Sequence, residues 1–376
     1  MANFYTLPGD HTDTSAMAQA SSAVYPLVSV VTPFYNTASY LAECIESVLA
    51  QTYPHFEYIL MDNCSTDGSG EIAESYARHD SRIRLIQCSE FLSQLANYNR
   101  ALTQISDYSE YCKIVQADDW IFPDCLQLMV RAFKQSESIG LVSSYWLSGD
   151  DLWGSGFPLQ TPMLPGKEAV RGFLRADSTP FGSQTQVMYR SAVVRNNKTF
   201  YNVSFPFADV QKCIEILEHW DYGFVYQVLS FARKENESIL HQVLLPRMAH
   251  PLALYILAQR YAPVFMEASD AASTIAKSKF QYYRALARAA LQLKGPAFWR
   301  FHKAGLKALG GEEKHDWPYL AMLIGAELLW LASNPGMTTV NIFRRLRRKI
   351  GSKRAAPSLA SLPAEFVASG KHSLES

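Results

Sequence analysis

Two adjacent carboxylates, Asp118 and Asp119, close an apolar run from Tyr111 to Val115. Such a run, ending in acids, reads as a buried strand whose carboxyl end meets solvent. That is where open α/β sheets bind ligands. Two acids side by side repel unless something cationic sits with them. A hard divalent ion is the usual partner, because it takes oxygen ligands and bridges to substrate phosphates. The pair therefore points to a strand-end metal site holding a nucleotide diphosphate. A solvated Asp-Asp turn, or a helix cap ahead of Phe122-Pro123, uses the same residues without chemistry, and the dipeptide alone does not separate these readings. Asp62 follows a second apolar run, Phe56 to Met61, and on a parallel strand would face the same rim as Asp118.

The elements that must position these acids alternate along the chain. Leu27 to Thr32 is an apolar, β-branched run ended by Pro33, a buried parallel strand rather than a half-exposed one. Leu41, Ile45, Val48 and Leu49 then fall at helical spacing behind Asn36-Thr37 or Ser39 as cap. After the Asp62 strand, Ser65-Thr66-Asp67-Gly68 reads as a helix N-cap, with Ile72 and Tyr76 on the buried side. Ile83 to Ile86 is a third strand, Leu95 to Leu102 a helix, and Tyr111 to Val115 the fourth strand. This is the grammar of a doubly wound sheet. Later, Ser204 to Val210 leads into a helix carrying Cys213, Ile214, Ile216 and Leu217, with Asp209 at its start, where it can serve as an N-cap. Trp220 to Val225 and Val228 to Arg233 read as two closing strands.

Three stretches together resemble the opening of the family 2 (inverting, GT-A fold) glycosyltransferases. They are Val28-Ser29-Val30-Val31-Thr32-Pro33-Phe34-Tyr35-Asn36, the segment Leu41 to Tyr53 ending in Gln51-Thr52-Tyr53, and Ile59-Leu60-Met61-Asp62-Asn63-Cys64-Ser65-Thr66-Asp67-Gly68-Ser69. The likeness runs over residues 27–240. It implies an α/β GT-A fold, a Rossmann-like mixed sheet flanked by helices, and transfer of a sugar from a nucleotide-diphosphate sugar to an acceptor hydroxyl. In that family Pro33, Tyr35 and Asn36 would line the base and Asp62 would accept a hydrogen bond from it. Asn99 and Arg100 would lie near ribose and diphosphate. Gln116-Ala117-Asp118-Asp119 stands at the family's Asp-x-Asp signature, with Gln116 where the first acid usually is. This makes Asp118 the candidate ligand of a divalent metal (Mn²⁺ or Mg²⁺), and Asp119 a contact to donor ribose or sugar.

The resemblance further assigns Asp209 the role of general base, which takes the acceptor's proton as it attacks. Ser183, Gln184 and Thr185 would form the floor of the acceptor pocket. Arg233 would reach the diphosphate, with Lys234 in reserve and Glu235 where a histidine is usual. Trp146, Trp153 and Trp220 can stack on sugars or fill the core, and Arg84 can meet phosphate or solvent. The implied acceptor is a glycan, a lipid-linked saccharide or another hydroxyl compound, in polysaccharide or glycoconjugate synthesis.

Bulk composition narrows the rest. With 376 residues, 48% apolar and 19% charged, the chain can bury a large core and has room for two domains. Thirty-five basic residues balance thirty-five acidic ones, so no polyanion-binding signature is present and no nucleic-acid partner is expected. The six cysteines form no Cys-x-x-Cys pair and suit a reducing compartment. Residues 1–26 read as a disordered tail without an apolar core of a leader, 27–240 as the catalytic domain, 241–354 as a helical region, and 355–376 as a disordered end. From Ala271 to Gly311 no acid occurs among eight Lys or Arg. Pro318 to Asn334 is apolar except for Glu327, and seven Lys or Arg follow between Arg344 and Arg354. An apolar helix beside basic residues can lie on an anionic membrane surface or dock on the catalytic domain. The expected setting is the cytoplasm, at the inner face of the cell membrane. A sugar-nucleotide-forming nucleotidyltransferase would need a Gly-rich basic loop after the first strand, and Pro33-Phe34-Tyr35-Asn36 is not one. An inactive GT-A-like sugar-nucleotide-binding or scaffold protein fits Gln116 and Glu235 but leaves Asp118 and Asp209 unexplained.

Overall fold

The computed structural model describes residues 25–156, 161–197, 199–205, 207–234, 244, 246–307 and 316–334. Within them ten strands form one mixed sheet: β1 (Val28–Phe34), β2 (Phe56–Asp62), β3 (Ile83–Gln87), β4 (Tyr111–Ile114), β5 (Trp120–Ile121), β6 (Ile139–Ser148), β7 (Asp151–Trp153), β8 (Met163–Leu164), β9 (Val187–Arg190) and β10 (Asp221–Ala232). Their order in space is β3-β2-β1-β4-β9-β6-β10-β5, with β7 on β6 and β8 on β10. The first four run parallel, so the carboxyl ends of β1, β2 and β4 share one rim. β9 inserts antiparallel between β4 and β6. β5 leaves that rim and pairs antiparallel with the end of β10, Ile121 against Ser230 and Trp120 against Phe231. This crossing sets the chain after β10 beside the acids after β4.

The helices are α1 (Leu41–Leu49), α2 (Ser69–His79), α3 (Gln94–Leu102), α4 (Cys125–Phe133), α5 (Gly166–Arg175), α6 (Ser191–Arg195), α7 (Ala208–Ile216), α8 (Ala249–Phe265), α9 (Ala268–Leu291), α10 (Pro296–Lys307) and α11 (Trp317–Ser333). Alternate strand residues feed opposite cores, as the period of two requires. Tyr58 and Leu60 of β2 pack under α1 and α4. Ile59 and Met61 pack on the other face, with α3 and α7. Each fully buried side chain of this size contributes about 1.5–3 kcal/mol.

Several expectations change. Pro33 does not end the first strand; it lies buried inside β1, whose pairing runs on to Phe34. The loss of its N–H is tolerated because the ladder to β4 stops at Val31. The two closing strands are one strand, β10, with register shifts between Val225 and Ser230. Within Ser65–Gly68 the N-cap of α2 is Gly68 at φ +95°, and Asp67 Oδ1 accepts the Ser69 N–H of the first turn at 3.0 Å. Order begins before residue 27, since Tyr53 Oη donates to the Pro26 carbonyl at 2.5 Å. One core also runs across the expected boundary at 240, joining Val170, Leu217 and Tyr222 to Tyr255, Leu257, Tyr282 and Leu286. Arg171 Nε fastens the two parts by donating to the Phe265 carbonyl at 2.6 Å. The tails 1–24 and 355–376, Glu235 and the basic run from Arg344 lie outside the described residues.

Candidate active site

The rim is laced by short polar side chains. Asn36 sits at φ +50°, a conformation asparagine tolerates. Its Oδ1 accepts from Thr66 N at 2.8 Å and its own N–H donates to Ser65 Oγ at 3.1 Å. Thr37 N donates to Ser69 Oγ and Ala38 N to Asp67 Oδ2. Thus the polar loop that caps α2 also holds the β1–α1 turn in place. Tyr35 stands exposed at that turn and meets exposed Phe91 edge to face at 4.8 Å. Asp62 is buried at the end of β2, with Oδ1 taking the Ser65 N–H at 2.9 Å. Gly70 packs close beside it: a Cβ there would lie 3.2 Å from Asp62 Oδ2, so the carboxylate would have to shift by a few tenths of an ångström.

The acids after β4 are held differently from one another. Asp119 is buried, and both its oxygens are engaged: Oδ2 accepts from Thr185 Oγ1 at 2.7 Å, Oδ1 from Arg233 N at 3.1 Å. Burial pushes its carboxyl up to about 7, helped by the charge of Asp118 and opposed by Thr185 and Arg233. Asp118 is also raised, mainly by burial, with Arg233 pulling the other way. Arg233 lies across the pair. Its Nε donates to the Asp118 carbonyl at 3.2 Å, Nη2 meets Glu43 of α1 at 2.5 Å, and the guanidinium lies over Tyr40 and Trp120 at 4.7 and 5.3 Å.

Beneath the pair sits Lys113, fully buried, whose Nζ donates to the carbonyls of Thr185 and Val187. Burial pulls its ammonium below the usual lysine range. Among the described residues no three His, Cys, Asp or Glu side chains converge as a ready-made metal cage. A hard cation at Asp118 would thus need further oxygens from its ligand. Two adjacent carboxylates raised by desolvation, Asp119 also by the charge of Asp118, are the kind of group such a cation relieves.

Asp209 occupies the first turn of α7, where its Oδ1 takes the Val210 N–H at 2.9 Å. The residue is part-buried, and desolvation pushes its carboxyl up to about 6 against those backbone bonds. Two tyrosines stand between this acid and the strand end. Tyr98 of α3 hydrogen-bonds the Gln116 side chain, and its hydroxyl is raised by burial and then by the charge of Asp118. Tyr201 is raised by burial and, further down the same balance, by Asp209. The two rings meet edge to face at 6.4 Å. The motif at Asp118 does not announce Tyr98, Tyr201, Lys113 or Glu43; an aromatic or a lysine in an apolar run looks like any other core residue.

Other expected contacts take structural tasks. Asn99 gives both ends of its amide to Tyr201, donating to its carbonyl at 2.8 Å and accepting its N–H at 2.7 Å. It therefore stitches the approach to α7. Arg100 follows on α3, half-buried. Thr185 is fully buried, and its hydroxyl also accepts Gln116 N at 3.0 Å, so it positions the acids rather than presenting itself to an acceptor. Gln184 is buried in the same short 3₁₀ turn, which Ser183 and Gln186 close with a capping box. Arg84 turns from the rim to Glu57 and the Gln104 carbonyl. Lys234 pairs with Asp151. Trp146 is core and Trp220 packs against Gly140, leaving Trp153 exposed.

A mixed sheet whose parallel strands bring Asp62, Asp118 and Asp119 to one carboxyl rim is the arrangement of a GT-A fold. The sequence comparisons say which family. The profile of glycosyl transferase family 2 matches residues 29–197. The putative glycosyltransferase EpsE of Bacillus subtilis is 30% identical over 214 residues, 56% of this chain and 74% of EpsE. Glycosyltransferase GlyG of Streptococcus pneumoniae is 32% identical over 120 residues, 32% of this chain and 39% of GlyG. The putative teichuronic acid biosynthesis glycosyltransferase TuaG of B. subtilis is 32% identical over 126 residues, 34% of this chain and 49% of TuaG. The chain thus spans less than half of GlyG and TuaG. Among solved structures, S. aureus TarS 1–349 in complex with UDP-GlcNAc superposes with a TM-score of 0.55 at 17% identity, covering 75% of this chain and 80% of TarS. The mannosyltransferase PcManGT of Pyrobaculum calidifontis, in complex with GDP-Man and Mn²⁺, gives 0.51 at 16%, covering 85% and 84%. The chain belongs to glycosyltransferase family 2 and has the GT-A fold.

Proposed function

We propose that this chain moves a sugar, with inversion, from a nucleotide-diphosphate sugar to an acceptor hydroxyl. The observation that carries this is the part-buried Asp209 carboxyl at the start of α7, raised to about 6, with the Tyr201 and Tyr98 rings meeting edge to face beside it. A carboxylate of that basicity takes a proton near neutral pH while remaining mostly ionised. The acceptor O–H bond breaks toward Asp209 as its oxygen attacks the anomeric carbon. The bond to the diphosphate breaks on the opposite face, and the leaving group keeps the electron pair. Tyr35, Asn36 and Asp62 hold the base, with Pro33 behind them in β1. Arg100 and Arg233 meet the diphosphate, and Ser183 and Gln184 stand behind the acceptor. Asp118 would hold a divalent cation, with Asp119 keeping Thr185 and Arg233 in register beside it. When bound, that ion neutralises charge building on the diphosphate. PcManGT is in complex with GDP-Man and Mn²⁺, which supports the choice of ion.

The setting we infer is polysaccharide or glycoconjugate synthesis, in line with the name of TuaG. The enzyme works in the cytoplasm at the inner membrane face; no described helix is long and apolar enough to cross a bilayer. A panel of UDP-, GDP- and dTDP-sugars, with and without Mn²⁺, tests the reading. One donor should turn over, and Asp209→Asn should lower the rate about a thousand-fold while leaving donor affinity intact. Asp118→Ala should abolish the Mn²⁺ dependence. Donor binding without transfer or donor hydrolysis, under every acceptor, would instead make the chain a sugar-nucleotide-binding protein.

A further inference from the structure

Arg233, at the end of β10, is held from several sides. Its backbone N–H donates to Asp119 Oδ1 at 3.1 Å, and its Nε to the Asp118 carbonyl at 3.2 Å. Nη2 meets Glu43 Oε2 at 2.5 Å. The guanidinium lies over the Tyr40 ring at 4.7 Å and over the Trp120 ring at 5.3 Å. Trp120 is braced in turn, since Phe231 stacks on it at 3.8 Å. Tyr40 and Glu43 are one helical turn apart, the first as N-cap of α1 and the second in its opening turn. The start of α1 thus forms a cradle for a side chain 190 residues further along.

An acid in the first turn of a helix is favourable by itself, and an exposed ion pair is worth little. This pair differs in what it does to the arginine. The Arg233 side chain is only 24% exposed, against 55% for Glu43. Glu43 and the Asp118 carbonyl take Nη2 and Nε, which fixes the plane of the rigid guanidinium fork. Among the described residues Nη1 takes no partner, so that end is left for a ligand, and a phosphate can meet it without displacing Glu43. An arginine already ordered before its ligand arrives loses less freedom on binding, which raises affinity.

We propose that Glu43 is a positioning residue of the donor site: with Tyr40 it fixes the Arg233 guanidinium beside Asp118 and leaves the Nη1 end to meet the donor diphosphate. The proposal rests on the donor reading of the rim given above. Glu43 touches no donor atom and acts through Arg233. Without Arg233 the same carboxylate would repel the phosphates.

The test is calorimetric titration with UDP and UMP, and with GDP and GMP, with Mn²⁺ present. The ratio of diphosphate to monophosphate affinity isolates the second phosphate, because base, ribose and first phosphate cancel. Arg233→Ala should lower that ratio at least tenfold, and Glu43→Ala about tenfold, with monophosphate affinity close to that of the parent. Glu43→Gln keeps an acceptor without the charge and should fall between Glu43→Ala and the parent. Adding Glu43→Ala to Arg233→Ala should bring no further loss. Glu43 is exposed, so its variants should keep the circular dichroism of the parent. A ratio that Arg233→Ala lowers and Glu43→Ala leaves unchanged would overturn the proposal and leave the donor reading standing. So would additive losses in the double variant, which would mean that Glu43 acts independently of Arg233. Tighter diphosphate binding by Glu43→Ala would also overturn it, since Glu43 would then compete with the donor for Arg233. A ratio untouched by Arg233→Ala would remove Arg233 from the diphosphate, and that part of the donor reading with it.

Discussion

The base role proposed for Asp209 rests on an electrostatic cost. A carboxyl raised to about 6 by burial is held in the charged form at neutral pH only against its surroundings. Two effects of pH follow, with opposite signs. Catalysis needs the ionised base, so kcat/KM with saturating metal should rise as pH climbs through about 6 and level off above it. Asp209→Asn should flatten that limb. Stability runs the other way. The folded state holds the Asp209 proton more tightly than the unfolded chain, so this group's contribution falls as pH rises from the ordinary carboxylate range through about 6. Asp209→Asn should therefore raise the thermal midpoint at pH 8 and change it little at pH 4, as thermal melts of both proteins at both pH values will show. A variant that gains nothing at pH 8 would mean that the carboxyl is not held at a cost.

At the scale of elements, the short turn Gln184–Gln186 ties the sheet to its acids. Lys113 of β4 grips it from below through the Thr185 carbonyl. Above, the Thr185 hydroxyl donates to Asp119 and accepts Gln116 N. Thr185→Val keeps the volume and removes both bonds, leaving a buried carboxylate oxygen and a buried N–H without partners. Each such group costs about 1–3 kcal/mol. The urea midpoint should fall accordingly, and donor affinity should weaken because Asp119 no longer fixes Arg233 beside Asp118. Loss of stability with unchanged donor affinity would confine the turn to a structural task. None of this was legible in the sequence, where Ser183-Gln184-Thr185 looked like a polar loop open to acceptor. The burial that closes it comes from β4 and β10, about 70 and 45 residues away.

Across the whole molecule, the C-terminal helices are part of the catalytic body through a shared core, and α11 is its outermost layer. Its attachment rests on Leu320, Leu323 and the ion pairs of Glu327. The arginines are half-exposed, so their pairs are partly screened. Replacing Arg284 and Arg288 by Ala strands the buried Glu327 and should cost about 1–3 kcal/mol. That loss should be local: hydrogen exchange in α11 should quicken while β1 to β4 and nucleotide binding stay unchanged. Quickened exchange throughout the sheet would show instead that α11 supports the whole fold.

Much of the donor side of this protein was readable without its structure. Strand, helix and strand ends follow from local periodicity, and acids such as Asp62, Asp118 and Asp119 fall where parallel strands stop, since both signals are carried by neighbouring residues. The family likeness lies in that same stretch. What only the tertiary structure decided is which polar groups are already committed. Asn99 turned out to serve Tyr201, 102 residues on, and Arg233 to meet Glu43, 190 residues back. The basicity of Asp209 and the inward turn of Glu327 are of the same kind. Each depends on solvent exclusion and on partners brought in by sheet order and helix packing, and no local pattern in a chain records what will be folded over it.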